Sequence, residues 1–424
     1  MTPELQVGLQ GWSAGLAAFS FGYPFVMAWY WMAGGLLLRF VRDRNEPLPG
    51  APPPLRDYPL VSVLIPCFNE ERQAGETFAA LAALAYPAYE IIAINDGSSD
   101  NTGAILDELT LQIPQLRVVH LASNQGKSTA MNAGALAARG EILVGIDGDA
   151  LLDPHALTWL VRRFQMDATL GALTGNPRIR NRASLLGKLQ VGEFSSIVGL
   201  IKRAQSTYGT LFTVSGVICA FRKRALQDAG WWSPGALTDD VDVTWRIQLA
   251  GWRVTFEPKA LCWILTPETL SGLWRQRLRW AEGGVQAIVK ATGSMVRQRR
   301  MRLVPIWINY VVSIVWAYAM LTGILMWAVS SVFPVWTGGP LGFSLLPQWW
   351  GVLLAVTYLL QSAVSVQLDR RFEDNMLDSL FWVIWYPLVF WMLQATAAVI
   401  GLPRALARRR GALGTWVSPD RGIR

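Results

Sequence analysis

Glu141-Ile142-Leu143-Val144-Gly145-Ile146-Asp147-Gly148-Asp149 is the stretch that decides the fold. Its apolar run reads as a buried strand, since a strand covered on both faces carries a near-continuous hydrophobic sequence. Two carboxylates one residue apart then lie just past the strand's carboxyl end, in the crevice where open α/β sheets bind ligands. Hard cations take oxygen ligands, and magnesium shares its shell with phosphates, so Asp147 and Asp149 can hold one divalent cation against the pyrophosphate of a nucleotide. An isolated Asp-x-Asp is just as well an acidic turn, and the rest of the chain must decide between the two.

Working outward, segments 60–66, 89–95 and 116–121 repeat the strand pattern, with helix-like stretches starting near Glu71, Asn101 and Ser128 between them. This alternation is the mark of a parallel α/β sheet. The loops after the strands are polar. The first runs through Asn69 and Glu70, and the second through Asp96 and Gly97, where a carboxylate can accept from a base or ribose and a glycine lets the backbone approach. A plain turn fits Asp96-Gly97 too, and Asp100 reads as a helix N-cap. The third loop ends in Gly126-Lys127, a lysine at a helix start suited to phosphate or base but without the spacing of a Walker loop.

Composition divides the chain. Of 424 residues, 52% are hydrophobic and 21 are Trp, too apolar for a purely soluble protein. Residues 19–38 carry no charge and are long enough to cross a ~30 Å hydrocarbon core. Arg39, Arg42 and Arg44 follow them, against Glu4 before, which places the next segment in the cytoplasm by the positive-inside rule. The stretch is too long for a cleaved signal peptide and lacks a basic start, so it reads as an anchor. A proline-rich linker, 47–54, opens the polar domain, and apolar blocks return at 303–333, 349–368 and 377–402. The expected division is an anchor (1–45), linker (46–59), catalytic domain (60–268), interfacial helices (269–302), a membrane region (303–402) and a basic tail (403–424). Three full C-terminal crossings would leave Arg404 and Arg408 to Arg410 outside, against the same rule; Pro387 can split the last block into a re-entrant hairpin that returns them.

The net charge of +8 does not point to nucleic acid, because many of the arginines cluster at membrane borders and in the tail, where they meet anionic lipid. Cys67, Cys219 and Cys262 are far apart and lack metal-ligand spacing, and His120 and His155 offer no zinc site.

Two later stretches carry candidate chemistry. Thr238-Asp239-Asp240 opens a helix-like run: Thr238 can cap it and the acids can favour its positive end, or Asp240 can serve as a general base. In Gln276-Arg277-Leu278-Arg279-Trp280, residues Gln276, Arg279 and Trp280 share one helix face, away from Arg277 and Leu278. An amide, a guanidinium and an indole suit a site that holds diphosphate beside sugar; a basic interfacial helix with a membrane-anchoring Trp is the plainer alternative.

Together and in this order, Asp96, Asp147/Asp149, Thr238-Asp239-Asp240 and Gln276-x-x-Arg279-Trp280 resemble the four markers of family 2 glycosyltransferases of the processive membrane type, the cellulose, chitin and hyaluronan synthases. Asp239 stands where that family often has Glu. Three further stretches, 174–181, 261–270 and 415–422, are similar to the bacterial poly-β-1,6-N-acetylglucosamine synthases. The resemblance implies a GT-A type, Rossmann-like α/β domain with flanking transmembrane helices in the bacterial inner membrane, the catalytic domain being cytoplasmic. It implies inverting, processive transfer of GlcNAc from UDP-GlcNAc to a growing β-1,6-linked exopolysaccharide, coupled to export. Asp240 would then be the base, Asp147 and Asp149 the ligands of Mg²⁺ or Mn²⁺, and Asn69, Glu70, Asp96, Lys127, Asp147, Gln276 and Arg279 the nucleotide site. Trp280 and Asp239 would meet the acceptor, and a small membrane accessory subunit is implied as partner. A chitin, hyaluronan or cellulose synthase, a non-processive lipid glycosyltransferase, and a transporter or scaffold with a degenerate nucleotide domain are the alternatives.

Overall fold

The computed structural model describes residues 3–333, 349–373, 376–384 and 390–408. Pro387, Arg409, Arg410 and the stretch 415–422 lie outside them.

The expected strands all form: β1 (Val61–Cys67), β2 (Tyr89–Asp96), β3 (Leu116–Leu121) and β4 (Ile142–Ile146). Four more complete one eight-stranded sheet: β5 (Leu151–Leu152), β6 (Leu170–Ile179), β7 (Ile218–Arg222) and β8 (Arg253–Ile264), in the order β3-β2-β1-β4-β7-β6-β8-β5. β1 to β4 are parallel, as expected. The whole sheet, however, is mixed, because β7 runs antiparallel to both β4 and β6. No crossover helix carries the chain back to the far edge before β7; it stays at the carboxyl edge through α6 (Leu185–Phe194), a π-helical turn (Ser195–Ile201) and α7 (Lys202–Thr207).

Alternation along each strand builds a core on both faces. Val61, Val63, Ile65, Ile91, Ala93, Ile142 and Val144 pack with Phe78 and Leu81 of α2 (Ala74–Ala82), Leu106 of α3 (Thr102–Gln112) and Trp159 of α5 (Ala156–Met166). Their neighbours Leu64, Ile92, Ile94 and Leu143 face the other way, onto Met131 of α4 (Lys127–Ala137), Leu226 of α8 (Lys223–Asp228) and Val243 of α9 (Asp239–Leu249). Covering on both sides is why β1 and β4 read as continuous apolar runs.

Among the described residues three helices are long and apolar enough to cross a membrane, at Gln10–Val41, Met301–Val332 and Trp349–Asp369. The first belongs to α1 (Pro3–Val41), which extends well beyond the uncharged stretch 19–38. The others correspond to α11 (Val304–Val332) and α12 (Trp349–Asp369), joined to the sheet through the long α10 (Leu270–Arg297). The last apolar block forms no single long helix among the described residues: α13 (Ser379–Val383) and α14 (Met392–Ala407) are separate. Gly401 of α14 sits against Ala281 of α10, and Arg404 pairs with Glu282 at 3.5 Å.

Buried ion pairs fasten the sheet to the long apolar helices. Asp369, the last residue of α12, accepts from Arg178 of β6 at 2.7 Å, Arg203 of α7 at 2.8 Å and Ser195 at 2.8 Å. The proline-rich segment is likewise docked: Trp159 donates to the Pro49 carbonyl at 2.8 Å and Arg162 pairs with Glu46 at 2.7 Å.

Candidate active site

Strand order reverses at β1, whose partners are β2 on one side and β4 on the other, and such a switch point opens a crevice at the strands' carboxyl ends. The loops after β1, β2, β3 and β4 and the entrance to β7 all meet there.

After β1, Asn69 takes the left-handed conformation (φ 55°), which a short amide side chain tolerates. Its side-chain oxygen accepts from the Ser99 amide at 2.9 Å, clasping the β1 and β2 loops. Glu70 is buried against Gly148, and its amide donates to Thr102 Oγ1 at 2.7 Å. Asp100, expected as an N-cap, stands one residue before the N-cap Asn101, and its carboxylate accepts from the Thr102 amide at 3.0 Å. Asp96 is wholly buried, and its two oxygens accept from the amides of Gln125 at 2.8 Å and Gly126 at 2.9 Å. Burial pushes its pKa up, and those two bonds only partly counter it. Asp96 thus clasps the loop that presents Lys127. Gly97 beside it is left-handed (φ 65°), and a side chain there would overlap the Ser123 backbone.

Lys127 reaches across the crevice, donating to Asp147 Oδ1 and, at 3.3 Å, to the Gly216 carbonyl. Burial alone would lower its pKa, but the Asp147 and Asp239 carboxylates outweigh that and raise it, so it stays charged. Gly216 is the meeting point. A methyl group on it would lie 3.4 Å from Lys127 Nζ and 3.6 Å from Asp240 Oδ2.

Asp240 stands in the first turn of α9, whose N-cap is Thr238. One of its oxygens accepts from the Val241 amide at 2.9 Å. Burial and then the neighbouring Asp239 charge raise its pKa, against Lys127, that amide and Lys202. A carboxylate so placed is a stronger proton acceptor than a solvated one, as a general base should be. The expected capping by the Thr238 side chain does not occur; its buried hydroxyl has no partner among the described residues. Instead Thr238 packs on Gly283 of α10.

Asp147, Gly148 and Asp149 follow β4 directly. Gly148 is closely packed: a methyl group there would stand 3.2 Å from Glu70 and 3.3 Å from the Pro66 carbonyl. Among the described residues no third His, Cys, Asp or Glu joins these two carboxylates to make a protein-only metal cage. Two hard oxygen donors at a phosphate crevice nonetheless suit a cation that completes its shell with diphosphate and water.

On α10 the Gln276-Arg279-Trp280 face precedes Gly283 by about one turn at Trp280 (~4.5 Å along the axis) and about two turns at Gln276 (~10.5 Å), at ~1.5 Å per residue. Trp280 is 37% exposed, and neither Gln276 nor Arg279 makes a hydrogen bond or ion pair among the described residues. No direct bond joins this face to the carboxylates. Arg277, expected to point away, lies 4.2 Å under the Trp280 ring and pairs with Glu193 at 2.6 Å, both groups fully buried. Residues i and i+3 are neighbours on a helix, and a long side chain can reach beneath the ring. Glu193 and Lys202, on a segment without a motif, were not marked by the sequence; two charges inside a stretch that buries most of its surface were the available signal.

The sequence matches the family description "Glycosyltransferase like family 2" over residues 59–283. It is 35% identical to the poly-beta-1,6-N-acetyl-D-glucosamine synthase of Staphylococcus epidermidis over 401 residues, 94% of this chain and 97% of that one. The corresponding Staphylococcus aureus protein (strain COL) is 36% identical over 403 residues, with the same shares covered. In fold the chain is similar to the mannosyltransferase PcManGT of Pyrobaculum calidifontis, solved with GDP-Man and Mn²⁺, with a TM-score of 0.60 at 19% identity, over 94% of this chain and 99% of that one. A GT-A sheet with a crevice lined by these carboxylates, matched across the catalytic domain and along nearly the full length of its relatives, makes this chain a member of glycosyltransferase family 2.

Proposed function

We propose that this glycosyltransferase polymerises N-acetylglucosamine from UDP-GlcNAc into a β-1,6-linked exopolysaccharide, processively and with inversion, and passes the chain into the membrane helices. The observation that supports the reading is the meeting at Gly216 of Lys127, which bonds Asp147, with Asp240, an arrangement that suits a donor phosphate beside a proton acceptor. The names of the near full-length relatives support the sugar and linkage.

On this reading the acceptor 6-hydroxyl attacks the anomeric carbon, its proton passes to Asp240, and the bond to UDP breaks. Asp147 and Asp149 would hold Mg²⁺ or Mn²⁺, which when bound supplies Lewis-acid charge to the departing diphosphate. Lys127, Gln276 and Arg279 add fixed positive and amide donors for the nucleotide, while Asn69, Glu70 and Asp96 shape the loops around it. Trp280 offers its exposed ring to the acceptor sugar, steadied from below by Arg277, with Asp239 beside the base. The protein would sit in a bacterial inner membrane with this domain in the cytoplasm, alongside lipid and a small accessory subunit.

The test is product analysis. Membranes given labelled UDP-GlcNAc should make a polymer that a β-1,6-specific glucosaminidase degrades, and Asp240→Asn should bind UDP without making it. Polymer from another UDP-sugar in preference, or a product resistant to that enzyme, would overturn the substrate assignment.

A further inference from the structure

Lys202 takes no part in the proposed mechanism as drawn so far, yet it is 6% exposed and makes no hydrogen bond or ion pair among the described residues. A buried, unmatched ammonium is costly, and such a group persists where something else completes it. Its setting is rigid. The next residue, Arg203, is locked to Asp369, and a step of one residue turns ~100° about a helix, so Lys202 faces away from that clamp. α7 is also fastened to α1: Thr207 donates to the Gly34 carbonyl at 2.9 Å, and Tyr208 stacks on Tyr30 with ring centroids 4.4 Å apart.

The loop between α7 and β7 ties Lys202 to the base. Gln205 of α7 accepts from the Phe212 amide at 3.1 Å. Gln248 of α9 accepts from the Leu211 amide at 3.1 Å, and Thr244 of α9 accepts from the Val214 amide at 2.9 Å while donating to the Asp240 carbonyl at 2.6 Å. α7 and α9 are therefore clipped together by this loop, which leads on to Gly216 beside Asp240. Lys127 bonds Asp147 and also acts on Asp240, whereas Lys202 has Asp240 as the carboxylate whose charge acts on it. A π-helical turn, a feature frequent at functional sites, leads directly into Lys202.

We propose that Lys202 is a binding residue of the acceptor subsite, its ammonium donating to an oxygen of the incoming saccharide, a hydroxyl or an amide carbonyl, beside Asp240. This rests on the assignment of Asp240 as the base that faces the acceptor. Burial lowers the Lys202 pKa to about 8 in spite of Asp240, so the ammonium is still largely charged at neutral pH and a neutral oxygen ligand suits it.

The experiment uses the full chain in membranes, primed with a β-1,6-linked GlcNAc oligosaccharide. Lys202→Met should raise the KM for the oligosaccharide by ~10- to 100-fold, the worth of a hydrogen bond from a charged donor, with the KM for UDP-GlcNAc unchanged. The same variant should be at least as heat-stable as the parent, because it replaces a buried, unpaired charge by an apolar side chain of similar length; a structural lysine would give the opposite result. An unchanged oligosaccharide KM, a parallel loss of UDP-GlcNAc affinity, or a protein that no longer folds would each overturn the proposal. A parent that makes no polymer from UDP-GlcNAc would instead overturn the functional assignment.

Discussion

Gly283→Ala tests whether the contact between α10 and α9 sets the position of the base. The added methyl would meet the Thr238 hydroxyl, with Thr238 Cγ2 at 2.5 Å and Cβ at 2.9 Å, whereas ordinary contact begins at 3.4 Å. Thr238 must retreat by about 0.9 Å, and it carries Asp239 and Asp240 with it because α9 begins at the next residue. Overpacking costs ~1–3 kcal/mol, but alanine in place of a helical glycine returns ~1 kcal/mol, so the protein should stay folded. Catalysis is less forgiving: a misplacement of ~1 Å can cost ~10²-fold. Polymer synthesis from labelled UDP-GlcNAc in membranes should therefore fall by roughly that factor while UDP affinity holds. Adding Thr238→Ala removes the hydroxyl and Cγ2, and since that hydroxyl has no partner to lose, the double variant should recover part of the rate. Polymer yield from Gly283→Ala within about threefold of the parent, against the ~10²-fold expected, would refute the reasoning and leave the α9–α10 contact as packing alone.

Because Asp240 must be ionised to accept a proton and its pKa is raised by burial and by Asp239, kcat should be present above that pKa and lost as pH falls through it, with the acid limb above the ordinary carboxylate range near 3.9; a pH–rate profile flat down to that range would contradict this. Arg277→Met leaves Glu193 buried with only Gln394 at 3.2 Å and should cost ~3–5 kcal/mol, most of it recovered in Arg277→Met/Glu193→Leu; thermal unfolding of the three variants in detergent checks the coupling, and additive losses would exclude it. Trp280→Ala should stop elongation and spare UDP binding, since the residue is partly exposed and its ring is stacked on Arg277; normal polymer length would make it a membrane anchor. Gly401 packs on Ala281 and Arg404 pairs with Glu282, so if α10 faces the cytoplasm a cysteine at the exposed Leu406 should resist a membrane-impermeant thiol reagent added outside intact cells, and rapid labelling would place it on the other face.

The sequence by itself determined the first four strands, the helices between them, the long apolar segments and the carboxylates. Each of these is written in local terms: a continuous apolar run for a strand covered on both faces, polar residues and glycine at its carboxyl end, an uncharged span of membrane length. What the tertiary structure decided is everything that depends on which distant segments share space. The antiparallel course of β7 follows from the chain remaining at the carboxyl edge after β6, and no local pattern encodes that. Asp96 reads as a nucleotide ligand in its loop; that its carboxylate also accepts from the Gln125 amide 29 residues later is not legible there. Arg277 is grouped by the sequence motif away from Trp280, yet as its i, i+3 neighbour it lies under that ring, held there by a buried partner on α6. Lys202 carries no motif at all; only the loop that clips α7 to α9 puts its charge beside Asp240. Periodicity fixes the direction of a side chain relative to its own helix, whereas electrostatic partners are chosen across sequence separations that periodicity does not reach.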